Sequence, residues 1–469
     1  MPEKIVGKSS PGTWPVEEYT KNKGSVGKKR IVFVGASYLF VHKVLRDCLL
    51  VGGFEEVEMV VHDIDPEPLK IVADLLEKIA RQKKTKIKIL RTLDRKEALK
   101  GADAVILCIT TGGREADFRG VEACAKYGIP VGVGDTLGPT ALARCLREIP
   151  EVVAIAKDME KLCPNAILLN FTNPMSCITG VVGRTTGITA WGLCHSADSL
   201  FDVMAQLFAC KKSDLKMKVA GVNHQSFVTE VKVKGVDRTK EILDASLKTR
   251  ATFKDTLLAM KEEEVNFQQD IYRIIGAWPS CGADHLAEFY HFFFTPRRME
   301  QLHLAEHVKK VIPGRQPFGR KPCPQIILDW AYGPEPVGDL HLLTSEHSHE
   351  LLWACFTGEP YTRALNLLNE GEYIKRLPKN ACVEVMVTVS GNKKVKGEQV
   401  ELPPAVHSLV ERWTSIHDLS IKAALNCDRD AARQALFLDP HVRDLYDIAP
   451  LLEDILKATE PWLPKKWFA

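Results

Sequence analysis

The sequence predicts an α/β protein with a Rossmann-like, doubly wound parallel sheet, followed by a C-terminal α+β domain. In the first half, short apolar runs typical of buried strands alternate with stretches of helical periodicity, as in sheets covered by helices on both faces. The first apolar run ends in a turn with glycine and the second ends in acids, as in dinucleotide-binding folds. After about residue 198 the pattern changes to alternating strands and a long, mostly helical stretch. We therefore predict an N-terminal extension over 1–28, an NAD-binding domain over 29–197, and a substrate and metal domain over 198–469.

The predicted elements of the first half follow one another in order. The strand RIVFVGAS ends at Gly35, a helix covers YLFVHKVLRDCLLVGG, and EVEMVVHDID forms the second strand. The next helix has Pro66 and Pro68 in its first turn, where proline is tolerated, and Asp65 is placed to cap it. Further strands are predicted in KIKIL, ADAVILCIT, NAILLNFTNP and ITAWGLCH.

The second half begins with antiparallel strands and ends with helices. LKMKVAGVNHQSFVTEVKV alternates as a half-buried sheet does, and KNACVEVMVTVSGNKKVKGEQVELP predicts another small β element. Amphipathic helices close the chain, the last of them in YDIAPLLEDILKATEPW. We expect Trp14 to dock the N-terminal extension onto the body of the protein.

The composition excludes several classes of protein. The 63 basic and 60 acidic residues nearly cancel, and no basic block with interleaved aromatic residues is present, so we expect no nucleic-acid partner. No apolar run approaches the roughly 20 residues that span a bilayer, and the N-terminus lacks the apolar region of a signal peptide. The 13 cysteines lack the spacing of a disulfide framework, which predicts reduced thiols in a cytoplasmic protein.

A candidate cofactor site follows the first two strands. The turn Gly35-Ala36-Ser37 departs from the full glycine-rich pattern, but it still allows a backbone approach to a phosphate. Asp63 at the end of the second strand is placed to accept from the adenosine ribose and would disfavour a 2′-phosphate. A turn that binds no phosphate remains the alternative.

Two later strand ends are candidate ligand-binding loops. In CITTGGRE, the backbone amides of Thr111 and Gly112 are placed to face the nicotinamide, and a simple glycine turn is the alternative. In LLNFTNPM, Asn170 and Asn173 offer both donors and acceptors, which suits the recognition of vicinal hydroxyl groups. Malate and lactate dehydrogenases use a comparable Asn-Pro turn, and we expect the second domain to be similar to their C-terminal lobe.

Cys194 and His224 are the candidate metal ligands. Each comes directly after an apolar, strand-like run, in AWGLCHS and GVNH. A thiolate and an imidazole suit Mn, Fe, Co, Ni or Zn, with open positions left for substrate oxygens. The sequence does not contain the framework of four ligands that a structural zinc site needs.

The order of the motifs resembles glycoside hydrolase family 4, the NAD- and metal-dependent glycosidases. The matching pieces include VVHDID, TTGG, KYGIPVGVGDTLGP, LREIP, LLNFTNPM, GLCHS, GVNH, ADHLAEF and ALFLDP. The resemblance implies a redox-assisted elimination, which is an exception to the two-carboxylate scheme of most glycosidases. NAD would oxidise the sugar at C3, the metal would polarise the ketone, a base would remove the C2 proton, and the leaving group would depart from C1. Water then adds and the hydride returns, so NAD is a true cofactor.

The resemblance also implies roles for individual residues. Cys194 and His224 match the metal ligands, for which we expect Mn²⁺, and Asn173 matches the sugar-contacting asparagine. His195 would assist the leaving group or contact the sugar. For the base we predict Asp284, with His285 as a substitute. Tyr290 is a further option for the base.

Substrate, assembly and even the class of activity stay open at this point. The expected partner is a small-molecule α-glucoside, α-galactoside or α-uronide, and the resemblance suggests a homodimer or homotetramer. One alternative is an NAD-dependent 2-hydroxy-acid dehydrogenase of the malate or lactate type, which has no need for Cys194. A second alternative is a catalytically silent NAD-binding protein.

Overall fold

The computed structural model describes residues 14–16, 24–38, 41–129, 131, 133–248, 264–290, 292, 323–344 and 346–469. The strands are β1 (Trp14–Pro15), β2 (Lys29–Val34), β3 (Val57–His62), β4 (Lys88–Thr92), β5 (Ala104–Leu107), β6 (Ile167–Asn170), β7 (Thr189–Gly192), β8 (Leu215–Val222), β9 (Gln225–Val233), β10 (Val236–Asp237), β11 (Trp278–Pro279), β12 (Leu342–Leu343), β13 (Tyr361–Leu368), β14 (Cys382–Ser390) and β15 (Lys394–Gly397).

The helices alternate with these strands in the first half and dominate the C-terminus. They are α1 (Val41–Leu50), α2 (Pro66–Lys83), α3 (Arg95–Leu99), α4 (Gly113–Ala125), α5 (Gly138–Leu162), α6 (Met175–Thr185), α7 (Ser196–Leu207), α8 (Ile242–Lys248), α9 (Glu264–Ile275), α10 (Ala283–Phe289), α11 (Gln325–Tyr332), α12 (Ser348–Thr357), α13 (Pro404–Asn426), α14 (Arg429–Leu438) and α15 (Ile448–Thr459). As predicted, Asp65 caps α2, because its side chain accepts a hydrogen bond from the amide of Glu67.

The first half forms the predicted parallel sheet. Its strands lie in the order β4-β3-β2-β5-β6-β7, and every neighbouring pair is parallel. With β2 as the first strand, this is the strand order of Rossmann folds. Successive residues of β2 face opposite sides of the sheet: Phe33 packs in one buried cluster with α1 and α2, and Val32 and Val34 pack in another with α5. The apolar runs therefore reflect burial on both faces, which confirms the doubly wound prediction.

The chain switches direction at β2. From β2 it runs outward through β3 and β4 and then returns to β5 on the other side of β2. In open α/β sheets such a switch leaves a crevice at the carboxyl ends of the two strands, where ligands bind. The loops after Val34 and Leu107 therefore flank the place where a dinucleotide is expected.

The second half extends the same sheet instead of forming a separate one. β13 pairs antiparallel with β7 at Asn366 and Gly192, and the sheet continues through β14, β8, β9 and β10. The C-terminal helices turn back, so that α13 contacts α5 and α15 contacts α4. Leu452 and Ile455 of α15 lie in the buried cluster that also contains Val32. The two predicted domains thus share a sheet and a core.

The N-terminal extension agrees with one smaller expectation. Trp14 pairs through its backbone with Leu343, so this part of the N-terminal extension does dock on the body. Within the described residues, no helix combines the length and the apolar character needed to cross a membrane.

Candidate active site and metal centre

The fold brings Cys194 and His224 together at the junction of the two halves. Cys194 follows the end of β7, and His224 lies in the two-residue turn between β8 and β9. The Sγ of Cys194 is 3.6 Å from the Nε2 of His224, and both residues are buried. The turn is tight: a Cβ on Gly221 would lie 2.2 Å from the carbonyl oxygen of Gln225, and His224 itself has φ of +60°. Glycine at position 221 thus permits the hairpin that presents the imidazole.

The pair fits a divalent cation in spacing and in chemistry. A cation at about 2.3 Å from sulfur and about 2.1 Å from nitrogen, as in zinc sites, separates two tetrahedral ligands by about 3.6 Å. Burial raises the pKa of the Cys194 thiol, and a bound cation would displace its proton. Among the described residues no group of three or more His, Cys, Asp or Glu side chains is arranged to hold a metal. The protein would therefore supply two ligands and leave positions for substrate oxygens.

Asn173 is oriented by Asp135, a carboxylate that lies close enough to His224 to be affected by its charge. The Nδ2 of Asn173 donates to the Oδ2 of Asp135 at 2.9 Å, although 38 residues separate them. The Oδ1 of Asn173 is buried and has no hydrogen-bond partner among the described residues. A buried acceptor without a partner is costly, which points to a ligand that donates to it. Asn170 differs, because its side-chain amide is already hydrogen-bonded within the protein. Its Nδ2 donates to the carbonyl of Thr172 and to the hydroxyl of Thr179, and its Oδ1 accepts from the amide of Thr172.

Asp135 is a site residue that the sequence reasoning did not select. Burial raises its pKa, but the charges of His285, Arg144 and His224 outweigh burial, and the net pKa is lowered. Asp135 therefore stays ionised between the metal pair and Arg144, at the end of the sheet where the cofactor crevice lies. The signal for it in the sequence is an acid in a glycine-containing loop just before α5, within VGDTLGP.

Helix α10 carries two of the predicted bases, Asp284 and His285, and Tyr290 follows its last residue. The ring of His285 stacks on the ring of His224, with centroids 3.8 Å apart and 18° between the planes. Asp284 lies in the same helix, but its side chain is outside the described part of the structure. Burial and the nearby Cys281 raise the pKa of Tyr290, which disfavours a phenolate base at neutral pH. The structure thus places His285 at the metal pair, and the choice between His285 and Asp284 stays a prediction.

His195 lies at the exposed side of Cys194. Its side chain is 42% exposed, and its Nδ1 is 4.0 Å from the Oε1 of Glu346, a residue that the sequence reasoning also missed. Glu346 is buried in the segment before α12. Burial raises the pKa of Cys108 at the end of β5, and the nearby charge of Glu346 raises it further. A half-exposed imidazole beside the metal pair is a suitable group to exchange a proton with a leaving group.

The cofactor turn after β2 is closed by Asp63. Gly35 has φ of +103°, and a Cβ there would lie 2.0 Å from the carbonyl oxygen of Cys108. Only glycine fits at this position between the ends of β2 and β5. Because Gly35 has no side chain, a ligand can approach the backbone of the turn closely. We call this turn the glycine cradle. The amide of Ala36 donates to the Oδ2 of Asp63 at 2.6 Å, and the amide of Asp65 donates to its Oδ1 at 2.8 Å. The carboxylate of Asp63 thus lies against the turn, at the strand end where dinucleotide-binding folds place an acid for the ribose.

The loop after β5 corrects one expectation. Both the amide and the hydroxyl of Thr111 donate to the buried carboxylate of Glu148, so this amide is not offered to a cofactor. Glu148 comes from α5. Burial raises the pKa of its carboxyl, although the charge of Arg144 on the same helix acts in the opposite direction. Gly112 begins α4 with φ of +76°, and a Cβ there would lie 2.6 Å from Ala116. The loop is therefore held rigidly from within the protein, and Gly112 and Ser37 stay predicted cofactor contacts.

Two family models match most of the chain. The model described as family 4 glycosyl hydrolase matches residues 30–210, and the model described as the family 4 glycosyl hydrolase C-terminal domain matches residues 219–442. An α-galactosidase of Bacillus subtilis (strain 168) is 32% identical over 451 residues, covering 93% of this chain and 99% of the relative. An α-galacturonidase of Thermoanaerobacterium saccharolyticum is 28% identical over 404 residues, covering 78% of this chain and 81% of the relative.

Solved structures share the fold at lower identity. The 6-phospho-β-glucosidase of Thermotoga maritima, with manganese, NAD⁺ and glucose-6-phosphate, has a TM-score of 0.72 at 22% identity, covering 93% of this chain and 99% of that one. A 6-phospho-α-glucosidase from gut microorganisms, in complex with NAD and Mn²⁺, has a TM-score of 0.76 at 17% identity, with the same coverage. These likenesses confirm the predicted fold class.

Proposed function

This chain belongs to family 4 of the glycosyl hydrolases, and we propose that it hydrolyses α-glycosides with NAD and a divalent cation as cofactors. The observation that carries the proposal is the Cys194–His224 pair, with Sγ and Nε2 3.6 Å apart. Asp135, whose pKa is affected by the charge of His224, links this pair to Asn173 at the carboxyl end of β6. An α-galactoside is the first substrate to test, because the relative at 32% identity is an α-galactosidase. α-Glucosides and α-galacturonides follow, since other relatives act on those sugars.

The donor set and the glycine cradle suit these cofactors. When bound, NAD supplies a hydride acceptor for C3 of the sugar, and the cation, which we propose to be Mn²⁺, acts as a Lewis acid toward the neighbouring oxygens. Cys194 and His224 would hold the cation. Gly35, with no room for a Cβ, would let the backbone approach the pyrophosphate, and Asp63 would accept from the ribose.

The remaining site residues bind the sugar and move protons. Asn173, oriented by Asp135, presents its unpartnered Oδ1 to a sugar hydroxyl. His285 or Asp284 removes the proton from C2, which is acidic only while C3 is a ketone. His195 gives a proton to the glycosidic oxygen as that oxygen leaves C1. The pyranose ring would thus present C1 and C2 to two different groups of the protein, and C3 to the cofactor.

An assay with an aryl α-galactoside, NAD, Mn²⁺ and a thiol reductant tests the function directly. Hydrolysis accompanied by incorporation of deuterium at C2 in D₂O is the expected result. Net formation of NADH from 2-hydroxy acids would instead indicate the dehydrogenase alternative, which the family match does not favour. Absence of turnover on α-galactosides, α-glucosides and α-galacturonides would contradict the proposal and favour an NAD-binding regulator.

The substitution Cys194→Ser tests the metal assignment within this function. We expect Mn²⁺ affinity and hydrolysis to fall together, while NAD binding and the melting temperature stay near wild type, because a serine hydroxyl is a poor ligand for these cations. Cys210→Ser is a matched control, since Cys210 is a partly exposed free thiol in another part of the fold. Full activity of the Cys194 variant with unchanged Mn²⁺ affinity would contradict the assignment.

Compartment and assembly complete the proposal. All 13 cysteines are free thiols, which suits a reducing cytoplasm, and Cys194 needs a reduced sulfur to act as a ligand. A homodimer or homotetramer is the expected assembly, and light scattering coupled to size-exclusion chromatography measures it. We propose no nucleic-acid partner, because the net charge is only +3.

A further inference from the structure

Glu288 is a buried carboxyl of α10 that the sequence analysis did not assign to any role. Its Oε1 accepts two backbone hydrogen bonds, from the amide of Val133 at 2.6 Å and from the amide of Gly134 at 2.9 Å. These amides lie 155 and 154 residues away in the chain. The side chain of Glu288 is only 5% exposed. One carboxyl oxygen therefore fastens the loop of the first half to a helix of the second half.

The loop that Glu288 holds carries Asp135. Asp135 follows Gly134 directly, and its carboxylate accepts from the Nδ2 of Asn173 at 2.9 Å. On the other side of Asp135, helix α5 begins at Gly138, so the chain is anchored there by regular structure. Upstream of Asp135, the two hydrogen bonds to Glu288 anchor the loop. The position of Asp135 thus depends on Glu288 at one end and on α5 at the other.

Glu288 is itself held in place by contacts with His441, a residue that follows α14. The ring of His441 hydrogen-bonds to the main chain of Glu288, and the Nδ1 of His441 contacts the Oδ1 of Asp439 at 2.8 Å. His441 and Asp439 are both buried, and Glu288 and His441 line one small cavity beneath the loop. On the same helix as Glu288, His285 stacks on His224. The helix that places His285 at the metal pair therefore also sets the loop of Asp135.

We propose that Glu288 is a positioning residue, which clamps the amides of Val133 and Gly134 and so holds Asp135 and Asn173 against the sugar. The inference rests on the proposed function, because it assigns Asn173 to the sugar. The acceptor, not the charge, is what the clamp requires. Burial and the charge of Asp135 raise the pKa of Glu288 to about 7, so acid and carboxylate coexist near neutral pH, and Oε1 accepts in both.

Two substitutions of similar volume separate the acceptor from the charge. Glu288→Gln keeps a carbonyl oxygen at the position of Oε1, whereas Glu288→Met removes both acceptors without opening a large cavity. Glu398→Ala is the control, because that side chain is 74% exposed and pairs with Lys218 on the outer face. Residue-resolved hydrogen exchange of the amides is measured for all variants together with kcat, KM, and the dissociation constants of NAD and Mn²⁺.

In Glu288→Met, we expect the amides of Val133 and Gly134 to exchange at least tenfold faster, because their acceptor is gone. The amide of Thr111, which donates to Glu148, is an internal reference that stays unchanged. We expect kcat/KM to fall at least tenfold, while the dissociation constants of NAD and Mn²⁺ stay within twofold. Glu288→Gln keeps the exchange protection and most of kcat/KM.

Three results would overturn the inference. Unchanged exchange at both amides in Glu288→Met would show that the clamp does not hold the loop. Faster exchange throughout the chain, with weaker NAD and Mn²⁺ binding, would show a general structural role. Loss of protection in Glu288→Gln would show that the charge is required. If the wild-type protein hydrolyses no α-glycoside, the proposed function fails, and the exchange measurement still decides the clamp.

Discussion

Replacement of Asp135 gives a graded test of how the sugar side of the site is organised. Asp135→Asn keeps the shape and an acceptor for Asn173 but removes the charge, and Asp135→Leu removes the acceptor as well. A hydrogen bond to a charged group contributes about 1.5–3 kcal/mol, and one between neutral groups contributes about 0.5–1.5 kcal/mol. The asparagine variant therefore loses about 1–1.5 kcal/mol, which lowers kcat/KM about 5- to 13-fold. The leucine variant loses about 1.5–3 kcal/mol, which lowers kcat/KM about 13- to 160-fold.

Steady-state kinetics on an aryl α-galactoside, with NAD and Mn²⁺ at saturation, measure both variants. Asp430→Asn is the matched control, because the Asp430 side chain is 82% exposed on α14, and it is expected to behave as wild type. NAD affinity measured by titration is expected to stay unchanged, since Asp135 contacts Asn173 and not the Gly35 turn. Values of kcat/KM within twofold of wild type for the leucine variant would refute the reasoning, as would an equal loss in both variants.

Further predictions concern the cofactor turn, the core and the pH dependence. Gly35→Ala places a Cβ 2.0 Å from the carbonyl oxygen of Cys108 at φ of +103°, so we expect NAD affinity to fall at least about tenfold by calorimetry; an unchanged affinity would contradict the cradle. Asn170→Ala removes three buried hydrogen bonds, so we expect the free energy of unfolding, measured with urea, to fall by about 3 kcal/mol. A fall of less than about 1 kcal/mol would show that the turn does not depend on these hydrogen bonds. Removal of metal with EDTA is expected to abolish hydrolysis, and Mn²⁺ is expected to restore it; activity that persists would exclude the metal role. Burial raises the pKa of Glu350 from 4.5 to about 7, so the folded state holds a proton that the unfolded state loses, and stability falls by about 3 kcal/mol between pH 4.5 and 7. Glu350→Gln is expected to remove that part of the pH dependence, giving a gain over wild type at pH 8 and none at pH 4, and equal gains at both would contradict the assignment.

The predicted strands of the first half were confirmed because their signal is local. RIVFVGAS and EVEMVVHDID became β2 and β3, with their ends at the turn of Gly35 and at Asp63. A parallel strand buried on both faces is apolar throughout, so its sequence reports its own environment. The cap at Asp65 follows in the same way, since the capping carboxylate and the amide that donates to it are two residues apart.

The metal pair was predicted from a different kind of signal. Cys194 and His224 are 30 residues apart, and their proximity rests on the order of motifs rather than on periodicity. Asp135 and Glu288 were not selected, because neither carries a motif of its own that distinguishes it from an ordinary acid. The sequence predicts the amide of Thr111 as a donor to the cofactor. It does not indicate that this amide donates to the carboxylate of Glu148 in α5 instead.

The amino-acid pattern alone determined the Rossmann-like half, the glycine at the switch point and the residue types that suit a cation. Tertiary structure decided that one sheet runs through both halves, that Asp135 meets Asn173, and that Glu288 holds the loop between them. The physical reason is range. Periodicity and capping act between residues a few positions apart, whereas these contacts depend on where strands of distant segments pair and how the intervening loops return.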